Sequence, residues 1–379
     1  MMAQIQLFDA SMLSSLTVAN SGRDVATTAE VIRLLEKNCV VAIGVSGGKD
    51  SDACAIAVSR YLDQFGHTGP RVLIHADLGR VEWRDSLPSC ERLAAKIGWE
   101  LMVVQRTAGD MLARWQGRWA NNVARYQDLS CVKLILPWST PSMRFCTSEL
   151  KVAVITSALK KRFPCHDILN VTGIRRQEST GRSRMPVSAP LAKLQRKGYV
   201  GLSWNPIIEW PIQEVFGAIA DAGLALHEAY TMYGASRVSC AYCIMSSQQD
   251  LLAASNCPDN HELYVQMVEL EASSTFAFQG SRWLADVAPH LLSTDLRDRI
   301  ARSKVLSERR QAIESELPQR LMFTAGWPTV LPTRDEASLV ASVRRRVSDL
   351  LEMDSKCLTT DTVLGRYEEL MARKESMAA

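Results

Sequence analysis

The sequence predicts an α/β protein: a doubly wound, mostly parallel sheet followed by a helical C-terminal appendage. Three observations carry this reading. Short apolar runs of strand length alternate with helical stretches between about residues 38 and 175. Polar clusters follow directly from three of those runs. Beyond about residue 260 the chain turns helical and charge-dense. Taken in order, residues 1–38 form an N-terminal helical segment in which VATTAEVIRLLEKN reads as a short amphipathic helix. VVAIGV is a continuous apolar strand, and the helix after it places Ala53, Ile56, Ala57 and Tyr61 on one face. RVLIHA is the second strand, Trp83 to Ile97 a helix, ELMVVQ the third strand and ILNVTG, 168–173, the fourth. Continuous apolar strands separated by helices indicate a parallel sheet covered on both faces. Residues 39–262 would form this domain and residues 263–379 the helical region, interrupted by the loop FTAGWPTVLPT before a last helical pair.

The 379 residues carry a formal charge of +3, so bulk charge identifies no partner and any basic surface must be local. No signal-peptide pattern opens the chain, and no apolar run reaches the roughly 20 residues needed to cross a bilayer. A cytoplasmic location without membrane association follows, with the ten cysteines mostly reduced.

Ligands of such a sheet sit beyond the carboxyl ends of its strands. The cluster after the first strand is Ser46-Gly47-Gly48-Lys49-Asp50-Ser51. It is not the mononucleotide P-loop: Gly44 to Gly48 is one residue short, and Asp50 stands where that motif has its magnesium-binding hydroxyl. The physics is similar. Glycines let backbone N–H groups approach an anion, a helix beginning near Ser51 points its positive end at it, and Lys49, Ser46 and Ser51 add donors. Lys49 and Asp50 are expected as exposed loop residues. A plain strand-to-helix turn would explain a lone SGG, but the whole hexapeptide between strand and helix is more specific.

After the fourth strand, Gly173 would allow close backbone approach, while Arg175, Arg176 and Arg182 offer planar forks to phosphate oxygens. Glu178 would pair with an arginine or join a metal's ligands. Cys146 opens a helix between Arg144 and Lys151, where a thiol is expected to be partly thiolate. Cys240 and Cys243 form a C-x-x-C pair, and Cys257 follows fourteen residues on. Cys146, Cys240, Cys243 and Cys257 would hold zinc or an iron–sulfur cluster, or instead form a metal-free relay with one persulfide and one resolving thiol. Cys39, Cys54, Cys90, Cys131, Cys165 and Cys357 lie in apolar or helical contexts and are expected to be inert.

SGGKDS with its strand resembles the pyrophosphate loop of the N-type ATP pyrophosphatases, of the adenine nucleotide alpha hydrolase-like fold. HADLGRVEW, RFCTSELK, GIRRQESTGRSR and SRVSCAYCI extend the resemblance over residues 38–260 to the phosphoadenosine-phosphosulfate reductase superfamily. The resemblance implies cleavage of ATP between its α and β phosphates, with Mg²⁺ and with the loop holding the departing pyrophosphate. It also implies that Asp77 and Gly79 of HADLG pack against the adenosine and that Asp77 helps hold Mg²⁺; a capping Asp and a turn Gly are the plain alternative.

Reductases of activated sulfate have a degenerate glycine loop and a Glu-Cys-Gly-Ile-His motif near the C-terminus. Here the loop is intact and the tail lacks that motif. The chain therefore most resembles the ATP-pyrophosphatase component of bacterial DNA phosphorothioation, a defence-associated DNA modification. The implied catalytic residues are Lys49, Asp50 and Cys146. The implied cofactors are ATP, Mg²⁺ and a 4Fe-4S cluster, and the implied partners are a cysteine desulfurase, DNA and other phosphorothioation components. Thiolation of tRNA or of a small acceptor by the same chemistry, and a non-catalytic nucleotide-binding scaffold, are the alternatives.

Overall fold

The computed structural model describes residues 23–378; residues 1–22 of the expected N-terminal segment lie outside the described residues. The amphipathic stretch forms α1, Ala29–Glu36, where the Thr28 hydroxyl accepts the Val31 N–H at 3.4 Å. The four strand-length runs form β1 (Val40–Val45), β2 (Arg71–Asp77), β3 (Glu100–Gln105) and β4 (Ile168–Val171). Between them lie α2 (Lys49–Phe65), α3 (Ser86–Ile97), α4 (Met111–Gln127) and α5 (Phe145–Thr147), which a π-turn over Ser148–Val152 joins to α6 (Ala153–Arg162). After β4 come α7 (Thr180–Ser183), β5 (Ser188–Pro190), β6 (Gly201–Trp204), α8 (Ile212–Asp221) and α9 (Glu228–Thr231). The rest is helical: α10 (Gln248–Ser255), α11 (His261–Ser274), α12 (Thr294–Glu314), α13 (Arg334–Leu350) and α14 (Thr360–Ala378).

The strands form one sheet in the order β3-β2-β1-β4-β6-β5. β1 is parallel to both β2 and β4, β4 is parallel to β6, and β5 closes the edge antiparallel to β6. The chain winds outward from β1 to β3, then returns to lay β4 against the other side of β1. Such a reversal leaves a crevice beyond the carboxyl ends of the two central strands. Ile43 pairs with Val171, so SGGKDS and GIRRQES leave the sheet side by side. The expected doubly wound α/β fold is therefore present, and its switch point lies between the glycine loop and the arginine turn.

Alternation along β1 assigns the two faces of the sheet. Val41, Ile43 and Val45 pack with α1, α2, α3 and α8 in one core, while Val40 and Ala42 pack with Leu159, Phe163 and Ile168 in another. Some boundaries differ from expectation. α2 begins at Lys49, so the polar hexapeptide supplies the first helical turn itself. α3 begins at Ser86, because a tight turn over Gly79–Val81 comes first and Trp83 is buried in a core. β5 and β6 have three and four residues, too short for an alternation to register.

Two compact units share the described chain. The first comprises the residues up to Ala76 together with Asp85–Val104 and Ile155–His227; the second comprises Asp77–Arg84, Gln105–Val154 and everything from Glu228. In the second unit α4 shares one core with α11 through Trp115, Tyr264 and Met267, and another with α13 and α14 through Tyr126, Val343 and Tyr367. The C-terminal helices are thus integral to the unit that contains α4. One of the three consecutive arginines of α13 shows why. Arg344 is completely buried and donates to the carbonyls of Tyr126, Gln127, Lys356 and Cys357 at 2.7–3.3 Å. Replacing Arg344 by Met would leave the Lys356 and Cys357 carbonyls without this donor, while those of Tyr126 and Gln127 keep backbone N–H partners, and urea unfolding should show a loss of about 3–5 kcal/mol. A loss below about 1 kcal/mol would mean that the clamp is dispensable.

Candidate active site

The glycine loop is shaped by close packing behind it. Gly47 has φ +71°, and a Cβ there would stand 2.9 Å from the Ser86 carbonyl oxygen, beside Ser89 and His227. Only glycine fits both conditions. Gly48 then caps α2 with no side-chain hydrogen bond, which leaves the positive end of a 17-residue helix to the loop. The Ser51 hydroxyl braces the turn. It accepts the Ser46 N–H at 3.4 Å and donates to the Gly48 carbonyl at 2.7 Å.

Lys49 and Asp50 are not the exposed loop pair that the sequence suggested. Lys49 is 5% exposed, and α2 starts at Lys49 itself, two residues before the start near Ser51 that the sequence suggested. Its Nζ lies 3.4 Å from Asp50 Oδ2, and Arg175 Nε donates to Asp50 Oδ1 at 2.6 Å. Arg175 is itself 3% exposed and also donates to Gln177 Oε1 at 3.1 Å and the Trp210 carbonyl at 3.3 Å. A guanidinium committed to three protein acceptors is not the phosphate fork expected of it. Arg175 positions Asp50. The close approach allowed by Gly173 is likewise to protein, since a Cβ there would lie 2.3 Å from the Asp50 carbonyl oxygen.

The other arginines of this turn are about one-third exposed. Arg176 pairs with Glu209 and donates to the Met185 carbonyl at 3.1 Å. Of the two roles open to Glu178, the structure shows the ion pair: its carboxylate pairs with Arg182 and accepts the Arg175 N–H at 2.9 Å. Ser46 to Ser51, Gly173, Arg175, Arg176, Glu178 and Arg182 all belong to the first unit.

Sequence reading missed the groups behind the loop. Asp52, in the first turn of α2, is 1% exposed, and burial pushes its carboxyl up to about 7 against the opposing Ser51 hydroxyl and Arg92. His227 is completely buried, with Nε2 3.4 Å from the Ser86 hydroxyl and Nδ1 4.0 Å from Asp85. Burial holds its imidazole down at about 4; Asp85 opposes this and Arg92 reinforces it. Arg92 in turn grips Asp85 with two hydrogen bonds of 2.9 Å. The acidic residue of KDSD was a visible signal, but nothing near it in the sequence indicates His227.

Asp77 and Gly79 lie in the second unit. Asp77 Oδ1 accepts the Gly79 N–H at 2.7 Å, the plain turn geometry. A Cβ on Gly79 would strike Asp110, the residue that caps α4 and pairs with Arg80.

The four candidate cysteines also belong to the second unit. Cys146 stands in the first turn at Phe145–Thr147 and is half-buried. The C-x-x-C turn is held by Gln279, whose amide donates to the carbonyls of Cys243, Ile244 and Ser246 at 2.9–3.2 Å. The Cys240 thiol is pushed up by burial and then by Cys243, with Cys146 adding a smaller effect in the same direction and Lys151 opposing. These three thiols therefore sense one another. Cys257 is drawn elsewhere: it is 1% exposed and lies against Tyr233 and Tyr242, and it pushes the Tyr233 phenol up to about 12. Among the described residues no group of three or more His, Cys, Asp or Glu side chains is assembled to hold a metal ion. Cys257 is thus held in the core, and Cys146, Cys240 and Cys243 are the candidate thiols seen within electrostatic reach of one another. Of the six cysteines expected to be inert, Cys39, Cys54, Cys90 and Cys131 are buried and Cys357 is half-buried, but Cys165 is exposed.

The sequence profile of the phosphoadenosine phosphosulfate reductase domain matches residues 40–245, more than half of the chain, and the protein belongs to that family. No curated protein sequence matches it. Among solved structures it resembles the phosphoadenylyl-sulfate reductase of Candida auris in a phosphate complex, at 14% identity over 57% of this chain and 97% of that one, TM-score 0.34. It also resembles the U34-tRNA thiolase NcsA of Methanococcus maripaludis with its 4Fe-4S cluster, at 15% identity over 69% and 87%, TM-score 0.34. A third is the NAD+ synthetase of Burkholderia pseudomallei, at 12% identity over 75% and 86%, TM-score 0.33. Among the described residues no helix is long and apolar enough to cross a membrane.

The opposed shifts of Asp52 and His227 make a pH prediction. Between about pH 4 and 6.5 the folded chain holds a proton on Asp52 that the unfolded chain has lost, and lacks one on His227 that the unfolded chain keeps. The two contributions oppose each other. Asp52→Asn should leave the His227 contribution alone, so its stability relative to the parent should rise with pH across this window. His227→Asn should do the reverse and fall relative to the parent as pH rises towards 7. Urea titrations at a series of pH values read both slopes, and parallel profiles for all three proteins would refute the assignment.

Proposed function

We propose that the protein is an ATP pyrophosphatase that adenylates a phosphate oxygen of DNA so that sulfur can replace it. The observation that carries the reading is the SGGKDS loop at the switch point, where the uncapped start of α2 carries Lys49 and Asp50 and Arg175 reaches Asp50 from the turn after β4. A helix end with glycine N–H groups and a fixed lysine stabilises charge that develops on departing pyrophosphate. An acceptor oxygen attacks the α-phosphorus of ATP, the bond from that phosphorus to the bridging oxygen breaks, and the pair of electrons leaves with pyrophosphate. Lys49 neutralises the leaving group, and Arg175 keeps Asp50, and through it Lys49, in register.

Both oxygens of the Asp50 carboxylate already face cations, Arg175 and Lys49, so Mg²⁺ would be held chiefly by phosphate oxygens and waters, the ligands it takes beside nucleotides. When bound it would supply further charge neutralisation on the phosphates.

Adenylation turns an oxygen that leaves poorly into part of AMP, which leaves well. Cys146 is the sulfur carrier in this reading, loaded as a persulfide by a cysteine desulfurase. Its terminal sulfur attacks the activated phosphorus and AMP departs. Cys240 or Cys243 then attacks the Cys146 sulfur, releases the thiophosphate and leaves a protein disulfide for a dithiol to reduce. No step requires a cluster.

Lys49→Gln should lower pyrophosphate release about 100-fold or more with the unfolding midpoint little changed, as expected for loss of a charge-stabilising group. Cys146→Ser should abolish sulfur incorporation while pyrophosphate release persists. ADP and phosphate as products would move the protein to another reaction class. Full sulfur transfer by the Cys146 variant would remove this thiol from the mechanism, and transfer to tRNA but not DNA would change the acceptor.

A further inference from the structure

The second unit contains a basic groove that the adenylation chemistry does not use. Arg114, Arg118, Asn121 and Arg125 occur at intervals of four, three and four residues along α4, which puts them within about 60° of one another on its surface. Arg106, just before the helix, joins them, and together they line a cavity of about 450 Å³. The groove carries four guanidinium groups and a single carboxylate, Glu149. Arg114 takes that carboxylate in two hydrogen bonds of 2.8 and 3.1 Å. Arg106, Arg118 and Arg125 make no ion pair among the described residues; they donate to the carbonyls of Ala108, Leu136 and Ser130. Burial first, and then the neighbouring Arg114, hold the Arg118 guanidinium below its ordinary range. Glu149 opposes this only in part, and a further anion in the groove would relieve it.

The groove also has a direction. The guanidinium groups of Arg114 and Arg118 lie 4.6 and 5.1 Å from the centre of the Phe145 ring, and Phe145 is the residue before Cys146. At about 1.5 Å per residue, Arg114 to Arg125 covers about 16 Å. That is too long for one phosphate group, and it spans several phosphates of a strand that rises about 3.4 Å per nucleotide. Ile135 adds an exposed apolar wall, and Asn121 an exposed amide. Planar guanidinium forks along a line suit repeated phosphodiesters better than a peptide's scattered carboxylates.

We propose that this arginine face of α4 is the docking groove for the DNA sugar–phosphate backbone and leads the strand to Cys146. The proposal rests on the reading of DNA as the acceptor and adds where DNA is held. Binding should be independent of sequence and steeply dependent on salt, since each phosphate contact releases counterions.

The test is fluorescence anisotropy of the full-length protein with a labelled mixed-sequence DNA duplex over a salt series, with the RNA duplex of the same sequence and poly-glutamate as competitors. The double variant Arg118→Gln/Arg125→Gln should bind about tenfold or more weakly, with a salt slope shallower by about two. Asn121→Asp, which puts a negative charge in the groove at an exposed position, should weaken binding while leaving the urea unfolding midpoint unchanged. Unaltered affinity and slope in both variants, with tight binding by the parent, would overturn the groove and leave DNA as acceptor. A parent protein that ignores DNA and binds the RNA duplex through the same arginines would overturn the DNA reading itself. Displacement of DNA by poly-glutamate at equal charge would make the face a protein-docking surface and overturn the proposal.

Discussion

A carboxylate at the head of α2 holds two buried cations in register, and the loop depends on that arrangement. Asp50 accepts Arg175 from the turn after β4 and neighbours Lys49 on its own helix. Removing it would leave two cations, each about 5% exposed or less, without their nearest negative charge, a situation that costs several kcal/mol. The steric fit is equally strict. Gly173 presses against the Asp50 carbonyl, and Gly47 presses against Ser86, Ser89 and His227. The strand order β2-β1-β4 brings these segments together, so the anion cradle follows from the winding of the sheet.

Much of this was legible in the sequence because it is local. The apolar run of β1, the glycines after it and the polar start of α2 are contiguous, and their pattern reports a buried strand feeding a helix. Roles set by distant residues were not legible. Arg175 reads as a phosphate ligand until Asp50, 125 positions away, is seen to occupy it. Asp52 looks like an ordinary acidic residue in a first helical turn; its carboxyl is shifted because the core closes over it. His227 has no motif at all, and its importance comes from packing against Gly47.

The cysteines show the same limit from the other side. Their spacing was visible, and it grouped four thiols. The fold separates Cys257, because its neighbour Pro258 begins a short turn and the thiol is sealed between tyrosines. Cys146, Cys240 and Cys243 remain within electrostatic reach of one another. The arginines of α4 show the converse: along the sequence they resemble a solvated helix face. They become a groove only because the segment from Ile135 to Glu149 folds alongside and Asn122 fixes it by accepting the Ile135 N–H at 2.8 Å.

Adenylation of a backbone oxygen is the central claim, and the fate of that oxygen tests it directly. DNA carrying oxygen-18 in its non-bridging phosphate positions would be incubated with the protein, ATP, a cysteine desulfurase and cysteine, and the AMP analysed by mass spectrometry. The account predicts AMP that has acquired oxygen-18 in step with sulfur entering the DNA. Unlabelled AMP alongside sulfurated DNA would contradict it, because the departing oxygen would then never have been joined to the nucleotide.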